Sequence, residues 1–154
     1  MKRNKRLSLL LIPFLLSCQN YTGPFFYVDS DSEPSYILLD SVSAFQTKVD
    51  QLSNLIFVLG TTTCGHCEDL DIELQDFVVN HNYSIYHLYF NTSVTNETDY
   101  SILTNVINGK MTYIPETYGT SFYVPVIFII QEKIATYEIN SDFVSTLHNC
   151  IEAN

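Results

Sequence analysis

Cys64 and Cys67, in the stretch TTTCGHCEDL (61–70), are the side chains of this chain best suited to chemistry. Two thiols at that spacing can exchange a disulfide, supply half of a metal site, or brace a fold. A zinc site takes four ligands, usually with a second CxxC or a histidine pair at fixed spacing. Here His81, His87 and His148 are scattered, so no metal site is expected. On the four residues alone, an inert disulfide or a degenerate redox site stays open.

The elements that must position the pair follow from hydrophobic periodicity. YILLD (36–40) predicts a short strand, and Val42, Phe45, Val49 and Leu52 fall at helical spacing within 41–53. NLIFVLG (54–60) is an apolar run closed by glycine, as expected of a central strand covered on both faces. Beyond the cysteines, Leu70, Leu74, Phe77 and Val78 predict a helix ending near Asn80. YSIYHLYFN (83–91) predicts a strand, with Ile85, His87 and Tyr89 on one face and Tyr86, Leu88 and Phe90 on the other. Residues 99–109 predict a helix capped by Asp99 and ended by Gly109. PVIFII (125–130) and IATYEI (134–139) predict a hairpin across Gln131-Glu132-Lys133. A last helix, 141–152, is expected to bury Phe143, Val144, Leu147 and Ile151. The order β-α-β-α-β-α-β-β-α predicts an α/β fold of three layers, α/β/α. Its central mixed sheet would hold parallel strands joined by helical crossovers and a C-terminal antiparallel hairpin.

This order puts Cys64 between a buried strand and a helix N-terminus, where unpaired N–H groups and the helix dipole favour a thiolate. Cys67 lies one turn on, close enough to resolve a mixed disulfide. The asymmetry assigns attack to Cys64 and resolution to Cys67.

With the element order, CGHC at a strand-to-helix junction and YVPVIFII (123–130) downstream, the chain resembles the thioredoxin superfamily over residues 36–152. The resemblance implies a cis-proline at Pro125, opening a strand beside the cysteines. The backbone of Val124 would then pair with a substrate strand. Gly65-His66 is the dipeptide found in protein disulfide isomerases, and a histidine at that point can favour the thiolate and make the disulfide more oxidising, whereas Glu68, Asp69 and Asp71 oppose a nearby thiolate. The pair carries its own electrons, so the resemblance implies no dissociable cofactor. One departure concerns the buried Asp or Glu that the family usually places six residues before the first cysteine, as proton acceptor for the second. Val58 stands there, and Thr63 replaces the usual aromatic before the motif. That leaves water or Glu68 to carry the proton, or a slower exchange.

The N-terminus reads as an address. Lys2, Arg3, Lys5 and Arg6 precede an apolar run, Leu7 to Leu16, that is shorter than the roughly 20 residues needed to span a bilayer. Leu15-Leu16-Ser17-Cys18 resembles a bacterial lipobox. The resemblance implies that residues 1–17 are a lipoprotein signal peptide and that Cys18 becomes the lipidated N-terminus of the mature chain. Two acyl chains hold a soluble domain on a membrane. Residues 18–35 then form the lipidated cysteine and a tether in which Gly23, Pro24, Pro34 and a Ser/Asp cluster break regular structure, and 36–154 the folded domain. Export moves the cysteines to a compartment where disulfides persist. The chain carries a net charge of -10, and four of its seven basic residues lie in the leader. An acidic surface of this kind repels phosphate backbones, so no nucleic-acid partner is expected.

These features predict an extracytoplasmic, membrane-anchored thiol–disulfide oxidoreductase. Its partners would be exported cysteine-containing proteins, and a membrane redox partner if it works as a reductant. The competing class is a non-catalytic surface lipoprotein that reuses the fold as a binding or accessory module. Cys150, on the apolar face of the last helix, is expected to be a buried thiol, with an intermolecular or third redox role as the alternative.

Overall fold

A computed structural model describes residues 33–107 and 124–151. The leader, Cys18, most of the tether and the Gly109 and Tyr118–Tyr123 positions lie outside these residues. The elements in chain order are β1 (Tyr36–Leu39), α1 (Val42–Gln51), β2 (Asn54–Gly60), α2 (Gly65–His81) and β3 (Ile85–Tyr89). They are followed by α3 (Phe90–Ser93), α4 (Glu97–Ile107), β4 (Val126–Gln131), β5 (Ile134–Ile139) and α5 (Phe143–Ile151). The sheet has the order β1-β3-β2-β4-β5. β3 lies parallel to both β1 and β2, whereas β4 is antiparallel to β2 and to β5. The three-layer α/β/α arrangement with its mixed sheet and C-terminal hairpin therefore stands as the sequence predicts.

Period-two alternation divides the core into two halves. On one face Leu55, Phe57 and Leu59 of β2 and Tyr86 and Leu88 of β3 pack with Phe45 and Val49 of α1 and Leu103 and Ile107 of α4. On the other, Ile56 and Val58 of β2 and Ile85 of β3 meet Leu70, Leu74 and Phe77 of α2 and Leu147, Cys150 and Ile151 of α5. Alternate residues of one strand point to opposite faces, so β2 is apolar throughout because both faces are covered. Cys150 has no exposed surface. No partner's thiol can reach it without α5 leaving the core, so the buried role holds. Phe143 and Val144 are only partly buried.

Two local expectations change. Residues 83–91 do not run on as a strand, because the chain turns into the short α3 at Phe90. Asp99 does not cap α4. Asn96 does, its Oδ1 accepting the Asp99 N–H at 3.0 Å, while Asp99 Oδ2 reaches back to the N–H of Thr95 at 3.1 Å. Asp99 thus satisfies one backbone donor, the Thr95 N–H, from inside the first turn, much as the acidic member of a capping box does.

The hairpin between β4 and β5 turns on two residues, Glu132 (φ 49°) and Lys133 (φ 71°). Both sit in the left-handed region, which costs a residue with a Cβ roughly 1–2 kcal/mol and suits Asn-Gly. The substitution Glu132→Asn with Lys133→Gly removes an exposed Lys133–Asp50 ion pair that contributes little. We expect a net gain of about 1–2 kcal/mol, read as a higher urea midpoint with an unchanged slope.

Candidate functional site

Cys64 occupies the N-cap of α2, with extended backbone angles (φ -105°, ψ 110°). Its position follows from the turn Thr61–Thr63, which ends the buried β2 and frees the chain to start a helix. Cys64 Sγ accepts the N–H of Cys67 at 3.2 Å, taking the place of a serine or aspartate cap. The sulfur therefore lies at the positive end of a 17-residue helix, facing N–H groups that have no intrahelical acceptor. Its own S–H points to the carbonyl of Val124 at 3.7 Å. The Val124–Pro125 bond is cis, and Pro125 is buried beside the motif. Cys64, Val124 and Pro125, sixty residues apart in the chain, thus come together at one end of the two central strands β2 and β4.

The two cysteines differ in access. Cys64 is half-buried, whereas Cys67 is only 2% exposed. Burial, helped by the hydrogen bond with Cys64 and by the nearby negative charge of Asp71, pushes the Cys67 thiol up to about 12. Neither thiol is joined in a disulfide in this structure. His66 is exposed and lines a cleft of about 680 Å³ with Leu70, Val124, Pro125 and Phe143, flanked by the carboxylates of Asp69 and Glu73. A Cβ on Gly65 would meet nothing within 4 Å, so glycine leaves the motif open to an approaching chain rather than making room for packing.

Beneath the cysteines lies a polar group that the pattern of the sequence did not single out. Tyr36, Tyr89 and His87 converge on Asp71. The Tyr36 hydroxyl donates to Oδ1, the Tyr89 hydroxyl donates to Oδ2 at 2.8 Å, and His87 Nδ1 lies 3.1 Å from Oδ1. Burial raises the Asp71 carboxyl, but the bonds from His87, Tyr36 and Tyr89 outweigh it and hold the group below the usual carboxylate range. Burial and the bond to Asp71 push the Tyr89 phenol up to about 12 and Tyr36 further still. Both phenols therefore stay protonated and serve as donors. The loop before Cys64 has its own clasp, in which Asn91 of α3 accepts the Thr62 N–H at 3.0 Å and donates to the Thr62 hydroxyl at 2.7 Å. Asn91 sits in α3, and a strand there would have pointed it elsewhere.

Neither a protein-family model nor a curated protein matches the sequence. Solved structures do match it. One thioredoxin-fold protein is 15% identical with a TM-score of 0.56, covering 75% of this chain and 92% of that one. Thioredoxin O2 of Arabidopsis thaliana is 14% identical (TM-score 0.51), covering 78% and 94%. A mutant thioredoxin of Halobacterium salinarum is 11% identical (TM-score 0.55), covering 80% and 94%. This chain has the thioredoxin fold. Within it, CGHC stands at the β2–α2 junction and the cis-proline at the entrance to β4. Where the thioredoxin-fold resemblance leads one to expect an acid, Val58 is 1% exposed and contributes only apolar packing.

Proposed function

We propose that this protein is an extracytoplasmic thiol–disulfide oxidoreductase, anchored to the membrane through a lipid on Cys18, that exchanges disulfides with exported proteins. The observation that carries the reading is the accessible Cys64 sulfur at the N-cap of α2, with Cys67 buried one turn behind it. Cys64 as thiolate attacks one sulfur of a partner's disulfide, and the other sulfur leaves with the electron pair and takes a proton. Cys67 then gives up its proton and attacks Cys64 Sγ. The Cys64–Cys67 disulfide forms, and the partner leaves as a dithiol. Two electrons and two protons pass to the partner, and the reverse sequence oxidises it. The Val124 carbonyl and the apolar floor of the cleft would hold the partner's backbone and side chains, while Asp69 and Glu73 favour basic neighbours around its cysteine.

The reduction potential of the pair tests this reading. A reversible couple between about -270 and -120 mV, with catalysed reduction of insulin or oxidation of a dithiol peptide, is the expected result. The lower end would mark a reductant, which needs a membrane partner to recharge it, and the upper end an oxidant or isomerase. A pair that resists reduction below about -300 mV, with no exchange activity, would leave a structural disulfide on a binding module.

A further inference from the structure

We propose that His87 is the proton acceptor for Cys67 and that Asp71 and Tyr36 are positioning residues for its ring. This rests on the exchange reaction proposed above and supplies the base its resolving step needs. β3 lies beside β2 in parallel register, with His87 opposite Val58. Both side chains project to the α2 side of the sheet, beneath the motif. β2 brings no titratable group to this level, and the imidazole comes from the neighbouring strand.

The hydrogen bonds fix which nitrogen can act. His87 is 1% exposed, and its Nδ1 lies 2.7 Å from the Tyr36 hydroxyl and 3.1 Å from Asp71 Oδ1. The Tyr36 hydroxyl spends its one proton on Asp71, so toward His87 it presents only lone pairs. Asp71 is ionised and presents only lone pairs as well. Nδ1 faces acceptors alone and must carry the hydrogen. In the neutral ring Nε2 is then a bare lone pair. That atom is buried and has no hydrogen-bond partner among the described residues. A buried, unsatisfied acceptor is costly and rare, and it calls for a reason.

The reason is what it faces. A Cβ on Gly60 would lie 2.8 Å from His87 Nε2 and 3.4 Å from Cys67 Sγ. The space that a side chain at 60 would fill therefore separates the basic nitrogen from the thiol, within reach directly or through one water. The charged and titratable groups around the ring are Tyr36 from β1, Asp71 and Cys67 from α2, and Tyr89 on its own strand, whose ring centroid is 4.3 Å away. β2 adds only Val58 and Gly60. In the resolving step the Cys67 S–H bond breaks, its proton goes to Nε2, and the sulfur's electron pair forms the bond to Cys64 Sγ as the partner's thiolate leaves. The imidazolium is held by the Asp71 carboxylate and later returns its proton to water. In the reverse direction the imidazolium protonates Cys67 as it leaves the disulfide.

The test separates attack from resolution by rapid quench with a disulfide peptide. In His87→Gln we expect resolution of the mixed disulfide to slow about hundredfold at pH 7 relative to attack on the same sample. Its rate should then climb tenfold per pH unit as hydroxide takes over. Gly60→Ala, which drives a methyl into the gap, should slow the same step. Resolution at the wild-type rate and pH profile in folded His87→Gln would overturn the proposal. A measurement on the unaltered reduced protein covers the case where these variants do not fold: ¹⁵N NMR of the His87 ring should show Nδ1 protonated and Nε2 bare, and the opposite tautomer would overturn it too. If wild-type Cys64 attacks no disulfide at all, the oxidoreductase reading itself falls. If attack is intact and only the His87 tests fail, that reading survives without this base.

Discussion

Replacing Cys67 by serine is expected to turn the exchange site into a trap. Cys64 keeps its place at the N-cap of α2, so it still attacks a partner disulfide. The intermediate has no internal route to resolve, because among the described residues the only thiol held beside Cys64 is gone. An intramolecular step must be replaced by attack from a thiol in solution, and steady-state turnover should fall by about 10³-fold or more. Non-reducing gels of cells expressing Cys67→Ser should show covalent complexes that dithiothreitol dissolves. Cys64→Ser should show none and have no activity, because Cys67 is 2% exposed and out of a partner's reach. Serine nearly matches cysteine in volume, so both variants should fold. Complexes on Cys64→Ser rather than Cys67→Ser would reverse the assigned roles. Complexes on neither, with inactive wild type, would favour the binding module.

The contrast between Val58 and His87 shows how much of the site could be read before the fold was known. Period-two alternation already placed Ile85, His87 and Tyr89 on one strand face, and CGHC after an apolar run already implied a helix N-terminus. The strand register was not visible. That His87 pairs with Val58 on one side, lies one strand from Tyr36 on the other and sits beneath α2 depends on how β1, β2 and β3 line up, and no local signal encodes it. The same holds for Asp71. Its sequence neighbourhood marks an acidic, solvent-facing helical turn, and only tertiary packing gathers two tyrosines and a histidine around it. Local rules failed in a different way at residues 90–99. Phe90 fits a strand by type and Asp99 fits a cap by type, and in each case a competing local arrangement won: a turn into α3, and a capping box led by Asn96. Val124 and Pro125 lie sixty residues from Cys64 and were reachable only through resemblance.

The Cys67 proton should make the pair's potential and the fold's stability depend on pH in a way that an exposed thiol would not. Reduction puts a proton on Cys67, whose thiol is pushed up to about 12. Each proton taken up in a two-electron reduction lowers the potential by about 30 mV per pH unit. The Cys67 contribution should therefore persist through pH 9–11, where an ordinary thiol near 8.5 has already stopped contributing. Stability follows from the same shift. The folded value lies above the unfolded one, so the unfolded chain loses the proton first. The stabilisation is fully present below about pH 8.5 and is lost as pH rises toward 12, at up to about 1.4 kcal/mol per pH unit. By pH 10.5 the reduced protein should have lost about 2–3 kcal/mol through this one group. Tyr36 and Tyr89 titrate in the same direction, but burial and the bond to Asp71 raise them in wild type and variant alike, so they largely cancel when the two reduced proteins are compared. Urea midpoints of reduced wild type and reduced Cys67→Ser at pH 8, 9.5 and 10.5 isolate the effect, with the wild type falling faster by that margin. At pH 7 a thiol pushed up this far by burial stays almost wholly protonated. The thiolate that closes the disulfide must then form at the moment of attack. Parallel stability curves, with a potential that levels off at pH 9, would instead show that Cys67 ionises as freely as a thiol in water.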